Sequence, residues 1–205
     1  MGEASVSRRS FTSSVVLGGA AAAFTAWTHP KVAQAAAPEQ TFEDAVATLM
    51  VCKAVLEPSH KYFKLNQFDS ARTNVNYITR QLGVRKAIGK VIIEGGAICD
   101  DEALVEEASD LAATADSTFS NYDSSIYTVI FIPPGEDGSL PKGSDKYFNQ
   151  ADVYYDQSVH MLDVFISLAP EDVRERARAK AEARVKELPR FLFKEFTAAG
   201  RPATP

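Results

Sequence analysis

One long stretch of this sequence places its apolar residues at the spacing of an α-helix, and very little of the chain shows the alternation of a β-strand. From Leu104 to Ile126 apolar residues recur every three or four positions without a break, which puts them on one face of a helix. The stripe consists of Leu104, Ala108, Leu111, Ala115, Phe119, Tyr122 and Ile126. The same periodicity returns in other segments, so the sequence predicts an all-α protein.

Four amphipathic helices and a fifth, highly charged helix are predicted. Thr41 is a suitable N-cap for the first helix, Pro58 is expected to kink or end it, and Gly95-Gly96 to end the second. The run Val129-Ile130-Phe131-Ile132 is β-prone, and residues 133–143 are predicted to form a long loop. Four helices in this order predict an up-down-up-down four-helix bundle with an additional C-terminal helix. The predicted helices cover residues 41–58, 69–96, 100–126, 145–168 and 171–187.

The first 35 residues have the layout of an export signal. Ser7-Arg8-Arg9-Ser10-Phe11 is a twin-arginine signature, residues 15–27 are an apolar run, and Ala33-Gln34-Ala35 is a small-x-small cleavage site. The alternative is an N-terminal membrane anchor, but the apolar run is too short, since a membrane span takes about 20 apolar residues. We therefore expect residues 1–35 to be removed and the mature chain to work in a thylakoid lumen or a bacterial periplasm.

The chain is acidic, with a formal net charge of −5 at pH 7, and the predicted export signal carries more basic than acidic residues. An acidic protein is a poor candidate for nucleic-acid binding, which depends on neutralising phosphates. The predicted second helix nevertheless carries a basic strip. This strip is interpreted either as a solvated face or as a steering patch for an acidic partner. It consists of Arg72, Arg80, Arg85, Lys86 and Lys90.

No residue pattern in the chain predicts a catalytic or metal site. Di-iron bundles use two Glu-x-x-His motifs on helices. Residues 57–60 match the motif once, but Pro58 lies inside it and is expected to interrupt the helix. At His160 the position of the glutamate is occupied by Gln157, so there is no second motif. We expect neither a metal ion nor another cofactor. Cys52 and Cys99 are expected at different levels of two antiparallel helices, which favours two unpaired thiols. A disulfide bond is the alternative, because export permits one.

The predicted fourth helix carries a sequence resemblance to a known family. Its segment Tyr155-Asp156-Gln157-Ser158-Val159-His160-Met161-Leu162-Asp163-Val164 is similar to the last-helix pattern Tyr-x-x-Ser/Thr-Val-x-x-Leu-Asn/Asp-x of the PsbQ-like extrinsic subunits of photosystem II. Lys146-Tyr147-Phe148 resembles that family's Lys-Tyr-Tyr, and residues 71–78 match it more loosely. The resemblance covers roughly residues 41–168. Loop 131–144 and the extra residues 170–205 resemble the algal and diatom type.

The resemblance implies a helical bundle over residues 36–168, a C-terminal helical extension over residues 169–205, and no enzymatic activity. It implies a peripheral position on the lumenal face of the thylakoid membrane, against the core and the other extrinsic subunits of photosystem II. There the family stabilises the manganese–calcium cluster and helps to retain calcium and chloride. A plastid protein would need a transit sequence ahead of Ser7, and residues 1–6 are too short to supply one. The alternatives are therefore a plastid chain truncated at its start and a bacterial exported protein.

Two further alternatives are a PsbQ-like lumenal subunit of the plastid NDH complex and a periplasmic helical-bundle binding protein. If the resemblance holds, we expect docking through residues that are exposed or that have no evident packing partner within the predicted bundle. An aromatic segment, Phe191-Leu192-Phe193, follows the predicted fifth helix. It is expected either to dock on a partner or to pack against the bundle itself. The expected docking residues are Arg80, Arg85, Lys86, Pro133, Pro134, Phe191 and Phe193.

Overall fold

Every regular element in the described part of the chain is a helix, as the sequence predicts. The structure is a computed structural model that describes residues 40–132 and 143–194, all within the unit Pro38–Pro205. The predicted export signal and the loop prolines Pro133 and Pro134 lie outside the described residues. The elements are α1 (Phe42–Lys64), α2 (Phe68–Arg80), α3 (Val84–Gly96), α4 (Glu102–Ile130), α5 (Asp145–Ser167), α6 (Glu171–Glu187) and a 3-10 helix (Arg190–Phe193).

Helix α1 is the most enclosed element, because it contacts α2, α3, α5, α6 and the 3-10 helix. Ala45, Val46 and Ala47 are consecutive, so their side chains point in directions about 100° apart. All three are nevertheless completely buried. The N-terminus of α1 is closed by Thr41, whose hydroxyl oxygen accepts a hydrogen bond from the backbone N–H of Asp44 at 3.1 Å.

Pro58 does not end α1, which continues to Lys64. A proline inside a helix removes one backbone hydrogen bond and costs about 3 kcal/mol or more. The residues that follow it compensate, because Ser59, Tyr62 and Phe63 are all buried against neighbouring helices. Tertiary packing therefore carries the helix past its proline.

The predicted second helix is two helices, α2 and α3, so the prediction of one continuous helix over residues 69–96 is wrong. The break lies at Gly83, whose φ of +67° is in the left-handed region that favours glycine. Val84, Ala87 and Val91 are buried on the far side of the break. Because the inward stripe resumes after the break, the apolar periodicity of the sequence conceals it.

The predicted β-prone run is also wrong, because α4 extends through Val129 and Ile130. Val129 is buried and continues the inward stripe of Tyr122 and Ile126. β-propensity is a weak preference that packing overrides. No strand occurs within residues 40–132 and 143–194. Helices in those two ranges do not combine the length and the hydrophobicity that crossing a bilayer requires.

Helix α6 confirms the predicted helix over residues 171–187. Only small side chains of α6, Ala177 and Ala181, are buried. Ion pairs with the start of α1 accompany this thin apolar contact, and ion pairs this exposed to solvent contribute little to stability. The α1–α6 ion pairs are Arg176–Glu43, Lys180–Glu43 and Lys180–Asp44, each at 2.8 Å.

The α2–α3 break gives a test with an internal control. We expect Gly83→Ala to lower the free energy of unfolding by about 1 kcal/mol, because a β-carbon disfavours positive φ. We expect Gly89→Ala, inside α3, to raise it by about 0.5–1 kcal/mol through helix propensity. A β-carbon at either position would meet no atom within 4 Å, so the two effects are conformational.

Urea unfolding followed by circular dichroism measures both changes. Equal effects of the two substitutions would contradict the left-handed turn at Gly83.

Candidate docking surfaces

Three exposed basic side chains lie where α2 passes into α3, and we call them the basic corner: Arg80, Arg85 and Lys86. Arg80 and Arg85 border the same cleft of about 340 Å³ between the α2–α3 turn and α4. Arg85 pairs with Asp116 at 3.0 Å, but the two side chains are 83% and 63% exposed. An ion pair this exposed is worth little. The corner therefore offers accessible positive charge on an acidic chain.

The other two residues of the predicted basic strip have carboxylate partners. Arg72 donates two hydrogen bonds to Asp123, at 2.9 and 3.0 Å, and its guanidinium lies 4.4 Å from the ring centre of Tyr127. Lys90 pairs with Glu94 at 2.7 Å, one turn along α3. Of the predicted basic strip, only the basic corner is therefore left to attract an acidic partner. The sequence alone does not show that Arg72 and Lys90 are paired.

The aromatic C-terminal segment packs on the bundle, as one of its two interpretations expected. Leu192 is completely buried, and Phe193 is partly buried against the core. Phe191 is 43% exposed and meets the ring of Tyr77 edge-on. Of the two phenylalanines expected to dock, only Phe191 keeps a large exposed surface.

Backbone hydrogen bonds hold this segment in place. The hydroxyl of Tyr62 on α1 donates to the carbonyl oxygen of Lys194 at 2.8 Å. The side-chain amide of Asn74 on α2 donates to the carbonyl oxygen of Leu192 at 3.0 Å. The 3-10 helix is therefore tied to α1 and α2 by two buried side chains that the helical periodicity does not single out.

The interior is more polar than the apolar stripes of the sequence predict. Ser59, Asn74 and Ser158 are completely buried. Each of them donates a hydrogen bond to a backbone carbonyl, which offsets the cost of burying the donor. The side-chain oxygen of Asn74 is buried without a partner among the described residues. Ser59 donates to Ala71 at 2.8 Å, Asn74 also donates to Val55 at 3.2 Å, and Ser158 donates to Tyr154 at 2.7 Å.

A half-buried polar cluster lies between α1 and α5. The ring of His60 stacks on that of Tyr155, with 3.9 Å between ring centres. His60 Nε2 lies 3.6 Å from the carboxylate of Asp152, which also pairs with Lys64. Burial lowers the pKa of His60, and the neighbouring Asp152 partly opposes that shift. The neutral imidazole is therefore favoured in the folded protein.

Tyr122 of α4 borders this cluster. Its hydroxyl is buried and makes no hydrogen bond of acceptable geometry to the described residues. The neighbouring Ser59 hydroxyl donates to a backbone carbonyl. Burial raises the pKa of Tyr122 well above its usual range. Within residues 40–132 and 143–194, no three His, Cys, Asp and Glu side chains are arranged to hold a metal ion.

Both cysteines are free thiols. Cys52 is completely buried in α1, and burial raises its pKa to about 12. The thiolate is the reactive form of cysteine, so Cys52 is an inert core residue at neutral pH. Cys99 is half-buried beyond the end of α3.

An open groove of about 690 Å³ runs between α1, α5 and α6. Met50, Ile166 and Val185 contribute apolar surface to it, and the Lys53–Asp163 pair lies at its edge. The groove has an apolar floor and charges of both signs, so its electrostatics favour no particular occupant.

Two tyrosine hydroxyls allow a matched stability test. We expect Tyr62→Phe to lower the free energy of unfolding by about 1 kcal/mol, because it removes the hydrogen bond that ties the C-terminal segment to α1. We expect Tyr122→Phe to be neutral or stabilising, because its buried hydroxyl has no partner of acceptable geometry. Denaturant unfolding checks both, and an equal loss in the two variants would contradict the assignment.

The His60 cluster predicts a pH dependence. Because the folded-state pKa of His60 lies below its ordinary value of 6.5, the unfolded chain takes up the proton first as the pH falls. Stability is therefore greatest above about pH 6.5 and declines as the pH falls from there towards the folded-state pKa. We expect His60→Gln to flatten the decline of the melting temperature between about pH 7 and 5.5.

His160→Gln is the matched control, since His160 is exposed and pairs with Glu107 at the surface. Equal flattening in both variants would contradict the role of the buried cluster.

Comparison with protein-family models, with curated proteins and with solved structures finds no match to this chain. The likeness to PsbQ-like subunits therefore depends on the quoted residues of α5 and on the looser match over residues 71–78. Any function must be argued from the surfaces described above.

Proposed function

We propose that this chain is a non-catalytic extrinsic subunit that docks on the lumenal side of photosystem II. There it would stabilise the oxygen-evolving manganese–calcium cluster and help to retain calcium and chloride. The observation that carries the proposal is the basic corner, an exposed group of positive charges on a chain whose net charge is −5. Such a patch favours acidic partner surfaces and accelerates encounter with them.

We further propose that the helices form an up-down-up-down bundle in which α2 and α3 together occupy the second position. Contacts between neighbouring helices support antiparallel packing. On α1 and α2, the start of one helix meets the end of the other, since Ser59 bonds to Ala71 and Val55 to Asn74. Helices α1 and α5 also run in opposite directions, since Lys53 pairs with Asp163 and Lys64 with Asp152. The same is true of α4 and α5, where Tyr122 contacts Tyr155 and Glu107 pairs with His160.

The positions of the family-like residues support a shared packing pattern. Tyr155 stacks on His60, Leu162 is completely buried, and Val159 packs against the core. Phe148 joins an aromatic group with Phe63. Because these side chains face inward, the resemblance supports a common bundle.

The mechanism is protection by binding. A subunit that binds only the intact assembly stabilises that assembly by mass action. Covering the manganese–calcium cluster slows the escape of its ions, and this requires no reacting group on the docking protein. Attachment through exposed charges is weakened by salt.

Rebinding to salt-washed thylakoid membranes tests the proposal. We expect the triple variant Arg80→Glu, Arg85→Glu, Lys86→Glu to rebind about tenfold more weakly or worse, because like charges then oppose an acidic partner. We also expect it to restore less oxygen evolution than the unmodified chain.

The matched control reverses three exposed cations elsewhere, Arg178, Lys186 and Arg190, and gives the same change in net charge. Equal loss of rebinding in both triple variants would show a general charge effect and contradict the basic corner. Undiminished rebinding of the unmodified chain to membranes depleted of photosystem II would refute photosystem II as the partner.

A further inference from the structure

Four large apolar side chains are exposed together at one end of the helices, and we call them the apolar tip: Leu65, Tyr127, Ile130 and Phe131. Their exposed fractions are 42%, 46%, 38% and 64%. Helix α1 ends beside Leu65, and α4 ends at Ile130. Ile130 lines the same small cleft as residues 66–70, which places the two helix ends side by side.

A group of packed aromatic rings lies at the same end of the helices as the apolar tip. The rings of Phe63, Phe68 and Phe148 pack against one another, with ring centres 5.6 to 6.4 Å apart. Within the tip, Tyr127 and Phe131 are in edge-to-face contact, with 4.7 Å between ring centres. The exposed residues therefore project from ordered helix ends.

The charged residues described around the tip are mainly basic. Lys61 and Lys64 lie in the last turn of α1, and Lys146 lies in the first turn of α5. Lys194 is exposed beside the end of α1, where its carbonyl oxygen accepts the Tyr62 hydrogen bond. The carboxylates at this end include Asp69 and Asp145, which are exposed, and the partly buried Asp152, which pairs with Lys64. Lys61, Lys146 and Lys194 supply the accessible positive charge.

The opposite end has the reverse electrostatics. It also exposes apolar residues, with Ile93 at 74% and Ile98 at 51%. This end gathers the end of α3 with the starts of α1, α4 and α6, since a β-carbon on Gly95 would lie 3.0 Å from Leu168 and 3.4 Å from Phe42. Four carboxylates at this end form ion pairs with basic side chains: Glu43 with Arg176 and Lys180, Glu94 with Lys90, Glu171 with Arg174, and Asp172 with Arg176. The excess of negative charge comes from the exposed carboxylates of Asp100, Asp101, Glu102 and Glu106.

We propose that the apolar tip docks on an anionic lipid bilayer and inserts Phe131 and Leu65 into its interface. Exposed aliphatic and aromatic side chains ringed by lysine are the composition of interfacial anchors, because the rings partition into the headgroup region and the ammonium groups meet lipid phosphates. The charges select the end that inserts, since the acidic end is repelled by the same surface. This inference extends the proposed function without depending on it, because a bilayer alone is the partner.

Tryptophan reporters test the insertion at each end of the full chain. The sequence has a single tryptophan, Trp27, which Trp27→Phe removes from both reporter variants. One variant adds Phe131→Trp at the tip, and the other adds Ile93→Trp at the acidic end. The vesicles contain phosphatidylglycerol and phosphatidylcholine with brominated acyl chains, which quench tryptophan on contact.

We expect the emission of the Phe131→Trp reporter to shift to the blue and be quenched, and that of the Ile93→Trp reporter to remain unchanged. This difference is independent of any binding by residues 15–27, because each reporter senses only its own position. An unchanged signal at position 131, or equal quenching at both positions, would overturn the proposal. Quenching of equal strength on pure phosphatidylcholine vesicles would overturn the choice of an anionic surface.

A second experiment compares vesicle sedimentation of two double variants. We expect Leu65→Ser with Phe131→Ser to weaken binding to anionic vesicles about tenfold or more, since two apolar side chains no longer enter the interface. Ile93→Ser with Ile98→Ser removes as much exposed apolar surface from the other end and is expected to bind as the unmodified chain does. Circular dichroism confirms that both variants keep their helices, and equal binding by the two would contradict the tip.

Discussion

The enclosure of α1 is the constraint on which the rest of this structure depends. Five other elements pack against this helix, and three consecutive residues, Ala45 to Ala47, have no exposed surface. A helix with this many neighbours must be apolar over much of its circumference. Its neighbours then need only one apolar stripe each. The arrangement leaves their outer faces free to carry the charges that distinguish one surface from another.

The inward stripes explain why the helical class could be predicted from the sequence. Because a helix has 3.6 residues per turn, burial of one face makes apolar residues recur with that period. The stripe from Leu104 to Ile126 shows this recurrence directly. The helix ends are less visible in the sequence. Gly83 breaks a helix across which the apolar period continues, and Pro58 fails to break one because buried residues follow it. At Pro58 tertiary packing overrides the local helix-breaking signal. At Gly83 the backbone turns although the apolar periodicity continues across the turn.

The surfaces could be predicted only in part. The sequence locates every basic residue of the strip, but it does not show that Asp123 neutralises Arg72 from another helix. The pairing depends on how α2 and α4 face each other, which is a property of the fold. The aromatic C-terminus is similar, because the hydrogen bonds from Tyr62 and Asn74 that anchor it span more than 100 positions in the chain. Contacts between residues so far apart in the sequence cannot be predicted from a local sequence pattern.

The uneven distribution of charge along the helices has a consequence for how the molecule travels. Lysines near the end of α1 and the exposed carboxylates at the start of α4 give the two ends of the described helices unequal charge, and hence an electric dipole moment along those helices. A charged surface exerts a torque on such a moment within about one Debye length, roughly 8 Å at physiological ionic strength. This torque would orient the helices before the protein contacts the surface, with their basic end towards it. The outer faces of the helices would then stay free to bind a neighbouring protein.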